Sequence, residues 1–138
     1  MNNIPKLSKR LNAWKQMLAS KVADTAQEYF VDCFKNEAFD GKDWKQVKRR
    51  LNAKTKGAKK TNPILYDTGA LRNSIKIISA KWSQIKISTE ANAAVSEYGY
   101  VHNEGTDKIP QRQFMGDAKE LDAKIDKIIE DAIDNLFN

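Results

Sequence analysis

The sequence predicts an α+β fold, in which a long N-terminal helix and a C-terminal helix pack on a small antiparallel β-sheet and a long basic loop joins the parts. Three observations predict it. Apolar residues recur at helical spacing at both ends of the chain, two short central segments alternate apolar and polar, and a lysine-rich stretch poor in apolar residues precedes them. At 138 residues, 41% hydrophobic and 30% charged, the chain reads as a single globular domain over residues 1–138.

The first helix is expected from Lys6 to Lys35. Leu11, Trp14, Leu18, Val22, Thr25, Tyr29 and Cys33 recur at spacings of three and four and so share one face. Pro5 sits near the first turn, where proline is tolerated, and no glycine occurs before Gly41. A helix of that length spans ~45 Å, more than a compact domain of this size needs. Either it lies across its own sheet or part of it packs on a neighbouring subunit.

Residues 39–63 read as a mobile basic loop. Asp40-Gly41 signals a turn, nine Lys/Arg fall between Lys42 and Lys60, and Gly57 and Asn62-Pro63 are further breakers. Trp44, Val47 and Leu51 allow a short helix over Trp44–Leu51. Loops of this length are usually functional or disordered.

Residues 64–116 read as a hairpin region with a short helix. Ser74–Ile78 and Gln84–Ser88 alternate as half-buried strands do, and the connection through Ala80–Ser83 suits an antiparallel hairpin. A helix is expected over Ala91–His102, with Ala94, Val95, Tyr98 and Val101 inward, ended by Gly105-Thr106. Ile109–Phe114 reads as extended. The last helix, residues 117–137, has capping-box spacing at Asp117 and Glu120. Its apolar stripe is Leu121, Ile125, Ile128, Ala132 and Leu136, widened by Ile129, Ile133 and Phe137.

The net charge of +6 is unevenly placed. Residues 1–66 carry 15 Lys/Arg against 6 Asp/Glu, whereas residues 117–138 carry 3 against 7. A basic front and an acidic tail steer subunits head-to-tail or attract nucleic acid, and composition does not choose between these. Cys33, the one cysteine, excludes an intramolecular disulfide and suits a reducing cytoplasm. One cysteine and one histidine, His102, argue against a zinc site built from this chain alone. No apolar run approaches a membrane span, and Met-Asn-Asn-Ile-Pro-Lys lacks the apolar core of a signal peptide. No cofactor is expected.

Asp67-Thr68-Gly69 is the segment most like an active site, since apolar-Asp-Thr-Gly-Ala marks retroviral-type aspartic proteases. That chemistry needs two carboxylates sharing a proton, within a fold that is almost wholly β. The alternative is structural: Asp67 or Thr68 caps a short helical turn, Gly69 relaxes the backbone, and Leu71 and Ile75 anchor it. Lys48, Arg49, Arg50, Lys54, Lys56, Lys59 and Lys60 supply the salt-sensitive, sequence-blind part of nucleic-acid binding, or else form a solvated loop. His102, beside Glu97 and Glu104 in sequence, reads as a hydrogen-bonded or exposed residue rather than a catalyst. No Ser/His/Asp set or glycine-rich phosphate loop assembles.

Three ordered motifs give the chain a likeness. Asp40-Gly41 and Trp44 precede a basic stretch with Leu51 and Thr55. Leu65-Tyr66-Asp67-Thr68-Gly69-Ala70-Leu71-Arg72-Asn73-Ser74-Ile75 follows. The third comprises Tyr98, Tyr100-Val101-His102-Asn103-Glu104-Gly105-Thr106 and Ile109-Pro110-Gln111-Arg112-Gln113-Phe114-Met115-Gly116. Together they resemble the phage virion-morphogenesis family of tail-completion and head–tail joining proteins. Gln111 and Gln113 depart from that pattern, where Ala and Pro are common.

The resemblance implies a non-enzymatic ring-forming component of the neck or tail end, located in the virion and in the host cytoplasm during assembly. Its partners would be other virion proteins and further copies of itself, with non-specific DNA contact through the basic loop. Trp44, Asp67, Thr68, Gly69, Leu71, Arg72, Ser74, Gly105, Thr106, Pro110, Arg112 and Phe114 are the motif residues it marks as structural. Physically, a capped turn feeds the first strand, and the extended segment lets Phe114 be buried while Arg112 reaches an acidic neighbour.

Overall fold

A computed structural model describes residues 4–57, 62–65, 69–90 and 93–137, with the side chain of Ala93 excepted. Helix α1 (Ile4–Asn36) is the spine. It is followed by a small hairpin of β1 (Ala38–Phe39) and β2 (Lys42–Asp43), a short helix α2 (Lys48–Leu51), and a single-turn helix α3 (Ala70–Asn73). Strands β3 (Ile75–Lys81) and β4 (Gln84–Thr89), helix α4 (Ala93–Glu104) and helix α5 (Lys119–Phe137) complete the α+β fold.

Helix α1 is buried over only part of its length. Leu18, Ala19, Ala23, Ala26, Tyr29, Phe30, Cys33 and Phe34 are buried, whereas Ile4 and Leu7 are 74% and 64% exposed. The face carrying Gln16, Ala23 and Gln27 meets β3: Gln16 Nε2 donates to the Ala80 carbonyl at 2.9 Å and Gln27 Nε2 to the Ile75 carbonyl at 2.9 Å. Eleven helical residues and five strand residues both advance ~16 Å. The two elements therefore run antiparallel in step. Another face meets α5, also antiparallel: the Tyr29 hydroxyl bonds Glu120 at 3.0 Å, and Trp14 Nε1 donates to the Ala132 carbonyl at 3.3 Å.

The β3–β4 hairpin is antiparallel, with Ile75 opposite Thr89 and Lys81 opposite Gln84 across a two-residue turn at Trp82-Ser83. A register shift between Ile77 and Ser79 leaves Ile78 as the extra residue, 47% exposed. Ser74, expected in the strand, instead ends α3, its hydroxyl donating to the Leu71 carbonyl at 2.6 Å.

Three further expectations change. The segment 39–63 is not loop throughout: Phe39 and Trp44 are buried, and Asp40 (φ 50) and Gly41 (φ 79) form a two-residue primed turn. The short helix is limited to Lys48–Leu51. In α4 the inward residues are Val95 and buried Gly99, while Tyr98 is 45% exposed and Ala94 faces solvent. A β-carbon at Gly99 would stand 2.7 Å from Leu71 Cδ1, so α4 sits closer to α3 than a larger residue permits. Burial therefore follows a glycine, which an apolar-residue pattern does not weigh.

Candidate functional site

The three sequence motifs converge on Phe114. Its ring lies 5.0 Å from that of Phe34, and Phe34 meets Trp44 edge-to-face at 5.6 Å and 89°. Leu71, Ile75 and Phe114 are all buried in this cluster. Edge-to-face and tilted pairs of this kind add to the apolar burial of each ring.

Hydrogen bonds then lock two irregular segments together in both directions. Trp44 Nε1 donates to the Gln113 carbonyl at 2.8 Å, while Arg112 Nε and Nη2 donate to the Lys45 and Gln46 carbonyls at 2.9 and 3.3 Å. Arg112 is 6% exposed and its own backbone N–H bonds the His102 carbonyl. The expectation that Arg112 reaches an acidic neighbour is thus replaced by a fork on two main-chain oxygens. Residues 44–47 belong to no strand or helix, so their carbonyls need donors from elsewhere.

Around the third motif the devices are local. Gly105 (φ 77) would set a β-carbon 2.9 Å from the Gln111 nitrogen and 3.0 Å from its Cα, so the close crossing needs glycine. Thr106 Oγ1 accepts from the N–H groups of Lys108 and Ile109, closing the turn before half-buried Pro110. Asn103, which sequence reasoning passed over, does more: its Oδ1 accepts from Phe114 and Met115 N–H at 2.9 and 3.0 Å. Its position between His102 and the Gly-Thr pair was the available signal. His102 is half-buried beside Tyr98, their rings 4.3 Å apart, and its Nδ1 has no partner among the described residues. Burial, then the nearby Arg112 charge, holds its pKa below the usual imidazole value.

In the second motif Gly69 (φ 77) occupies the N-cap position of α3, with no side-chain cap bond. Asp67 and Thr68, expected as the cap, lie outside the described residues. Arg72 is half-buried. The helices α1 and α5 already depart from the almost wholly β fold that the protease reading requires.

The basic residues divide. Arg50 forms a two-pronged pair with Glu37 at 2.7 and 2.8 Å and also donates to the Asn62 carbonyl, and Arg49 donates to the Pro63 carbonyl. Glu37, left-handed (φ 52) just past the end of α1, also accepts the Ile64 N–H at 2.7 Å. Burial alone would raise the Glu37 carboxyl; the Arg50 and Ile64 bonds and the arginine charges outweigh it and hold the group below its ordinary range. These two arginines therefore close the loop on itself. Lys48, Lys54 and Lys56 are exposed, and Lys59 and Lys60 lie outside the described residues.

At the opposite end of the spine, the first half of α1 and the second half of α5 enclose an open apolar groove of about 750 Å³, lined by Leu7, Leu11, Trp14, Ile128, Leu136 and Phe137 among others. Exposed apolar side chains surround it, with Phe137 at 82%. Among the described residues there is no metal-binding group of three or more His, Cys, Asp or Glu, and no helix long and apolar enough to cross a membrane.

The fold and the motif cluster define an α+β protein whose distinctive side chains fasten backbone segments to one another. Residues 2–134 match the sequence model of the phage virion morphogenesis family, and the chain belongs to that family. Membership supports a structural or assembly role in the phage particle. Neither the comparison with curated proteins nor that with solved structures finds a match.

Proposed function

We propose that the chain, acting as one domain over residues 1–138, completes the tail or joins head to tail in a tailed phage as a subunit of a ring. Heterologous contacts repeated about an axis close into such rings. The observation that carries this reading is the use to which the family motifs are put: Trp44, Arg112 and Phe114 hold main-chain segments in place. Such devices suit a rigid building block, whereas catalysis needs converging ionisable groups. On this reading Asp67-Thr68-Gly69 serves the backbone, the protein performs no catalysis, and its partners are neighbouring virion proteins and its own copies.

The test is a phage in which this gene is interrupted. Filled heads and unattached or unfinished tails are expected, restored by the gene in trans. Intact infectious particles would refute the role. A lesser reading, nucleic-acid contact, rests on exposed Lys48, Lys54 and Lys56. It requires salt-dependent DNA retention that disappears when these three become Ala.

A further inference from the structure

We propose that copies of this chain bind one another through the α1–α5 groove, the basic wall of one subunit against the acidic wall of the next. The inference rests on the assembly role above and identifies the surface that serves it.

Three observations lead there. Burial stops along both helices at the same end of the molecule: Ile4, Leu7 and Met17 are 74%, 64% and 60% exposed on α1, and Ile133, Leu136 and Phe137 are 42%, 43% and 82% exposed on α5. Exposed apolar surface of this extent, continuous around a groove, marks a contact site. Helix α1 runs on beyond its contact with the hairpin, which ends where Gln16 bonds Ala80 and Trp14 meets Trp82, so among the described residues its first two turns face only α5 across the groove.

The third observation is charge. From Ile4 to Lys21, α1 carries Lys6, Lys9, Arg10, Lys15 and Lys21 and no acidic residue. From Asp126 to Phe137, α5 carries Asp126, Glu130, Asp131 and Asp134 against Lys127 alone. Of these, Arg10 and Lys21 line the α1 wall of the groove and Asp131 the α5 wall, so the two walls carry opposite charge and the remaining charges extend it along each helix. An anionic lipid surface or nucleic acid drawn to α1 would be repelled by α5. A second copy of this chain offers both signs, so the basic wall of one meets the acidic wall of another around an apolar seam. Because both walls belong to one groove, the contact is self-complementary, each α1 facing the other copy's α5.

Mixed charge reversal tests it. One variant carries Lys6→Glu, Lys9→Glu and Arg10→Glu; the other carries Glu130→Lys, Asp131→Lys and Asp134→Lys. Circular dichroism first establishes that both are folded, and light scattering after size exclusion then reads the mass. Wild type is expected to exceed the monomer mass as concentration rises and to fall back in high salt. Each variant alone should remain monomeric, and the equimolar mixture should associate again, because each then offers the wall the other lacks. A monomeric mixture beside an associating wild type overturns the groove as the contact, as does wild type that stays monomeric throughout. Wild type that binds anionic vesicles or DNA through Lys6, Lys9 and Arg10 without self-associating overturns it likewise. None of these results touches the gene-interruption test, so the two proposals fail separately.

Discussion

Asp40 caps a helix that begins far beyond it in the chain: its Oδ1 accepts the backbone N–H of Glu120 at 3.0 Å, across eighty positions of sequence. The bond belongs to a closed set. The Asp40 N–H donates to the Tyr29 hydroxyl at 3.0 Å, and that hydroxyl donates to Glu120 Oε2 at 3.0 Å. Helix α1, the β1–β2 turn and the start of α5 are thereby joined at one point. The capping box expected from Asp117 and Glu120 is not formed, since the Glu120 N–H donates to Asp40 and its carboxylate accepts the Tyr29 hydroxyl hydrogen bond instead. A carboxylate at a helix N-terminus satisfies an orphan N–H and meets the positive end of the helix dipole.

Asp40→Ala should therefore lower the melting temperature by a few degrees, with Asp40→Asn retaining part of the loss, as thermal circular dichroism would show. Bonds from the Glu120 and Lys119 N–H groups hold the Asp40 carboxyl below its ordinary value. Its contribution is present above the unfolded carboxyl pKa and is lost as pH falls through the lower folded value. The Ala variant should accordingly lose less stability on acidification than wild type.

Glu37→Gln should destabilise by about 1–3 kcal/mol in urea titrations, because it leaves the Arg50 guanidinium facing a neutral amide. The Glu37 carboxyl is also depressed, so the same sign applies: its stabilisation is present above the unfolded carboxyl value and is lost as pH falls through the folded one. The gap between wild type and variant should narrow toward low pH. A gap that widened there would exclude the ion pair as the cause.

Arg112→Lys should cost about 1–3 kcal/mol despite keeping the charge, since an ammonium does not reproduce a planar fork on two carbonyls. Hydrogen exchange offers a local readout. Amide protection in residues 44–47 and 112–114 should fall together, because Trp44 and Arg112 bind those segments mutually.

Cys33 should resist thiol reagents in the folded protein at pH 8 and react fully once unfolded. Burial, then the Glu120 and Asp32 carboxylates, push its pKa up to about 12, so the reactive thiolate is scarce. Its Sγ donates to the Tyr29 carbonyl at 3.3 Å, one turn back along α1. Labelling that follows the unfolding rate would confirm this, and rapid labelling of native protein would contradict it.

Much of the fold was legible because it is local. The helical spacing from Leu11 to Cys33, the alternation in Ile75–Ile77 and Ile85–Ile87, and Asp40-Gly41 each report a short-range periodicity or turn. The motif residues Trp44, Leu71 and Phe114 were legible as anchors, and all three are buried. Asn103 and Glu37 were missed, since each acts through main-chain groups placed near it only by folding. Arg49 and Arg50 counted as free cations for the same reason, although one bonds Pro63 and the other Glu37.

By itself, then, the sequence determined the two long helices, the β3–β4 hairpin between them and the family. It did so because periodicity and turn chemistry are properties of neighbours in the chain. Only the tertiary structure decided that a turn aspartate caps α5, that Arg112 serves carbonyls rather than an acid, and that α1 is bare over its first turns. A donor takes whichever acceptor the fold brings within about 3 Å, and that distance has no signature along the chain.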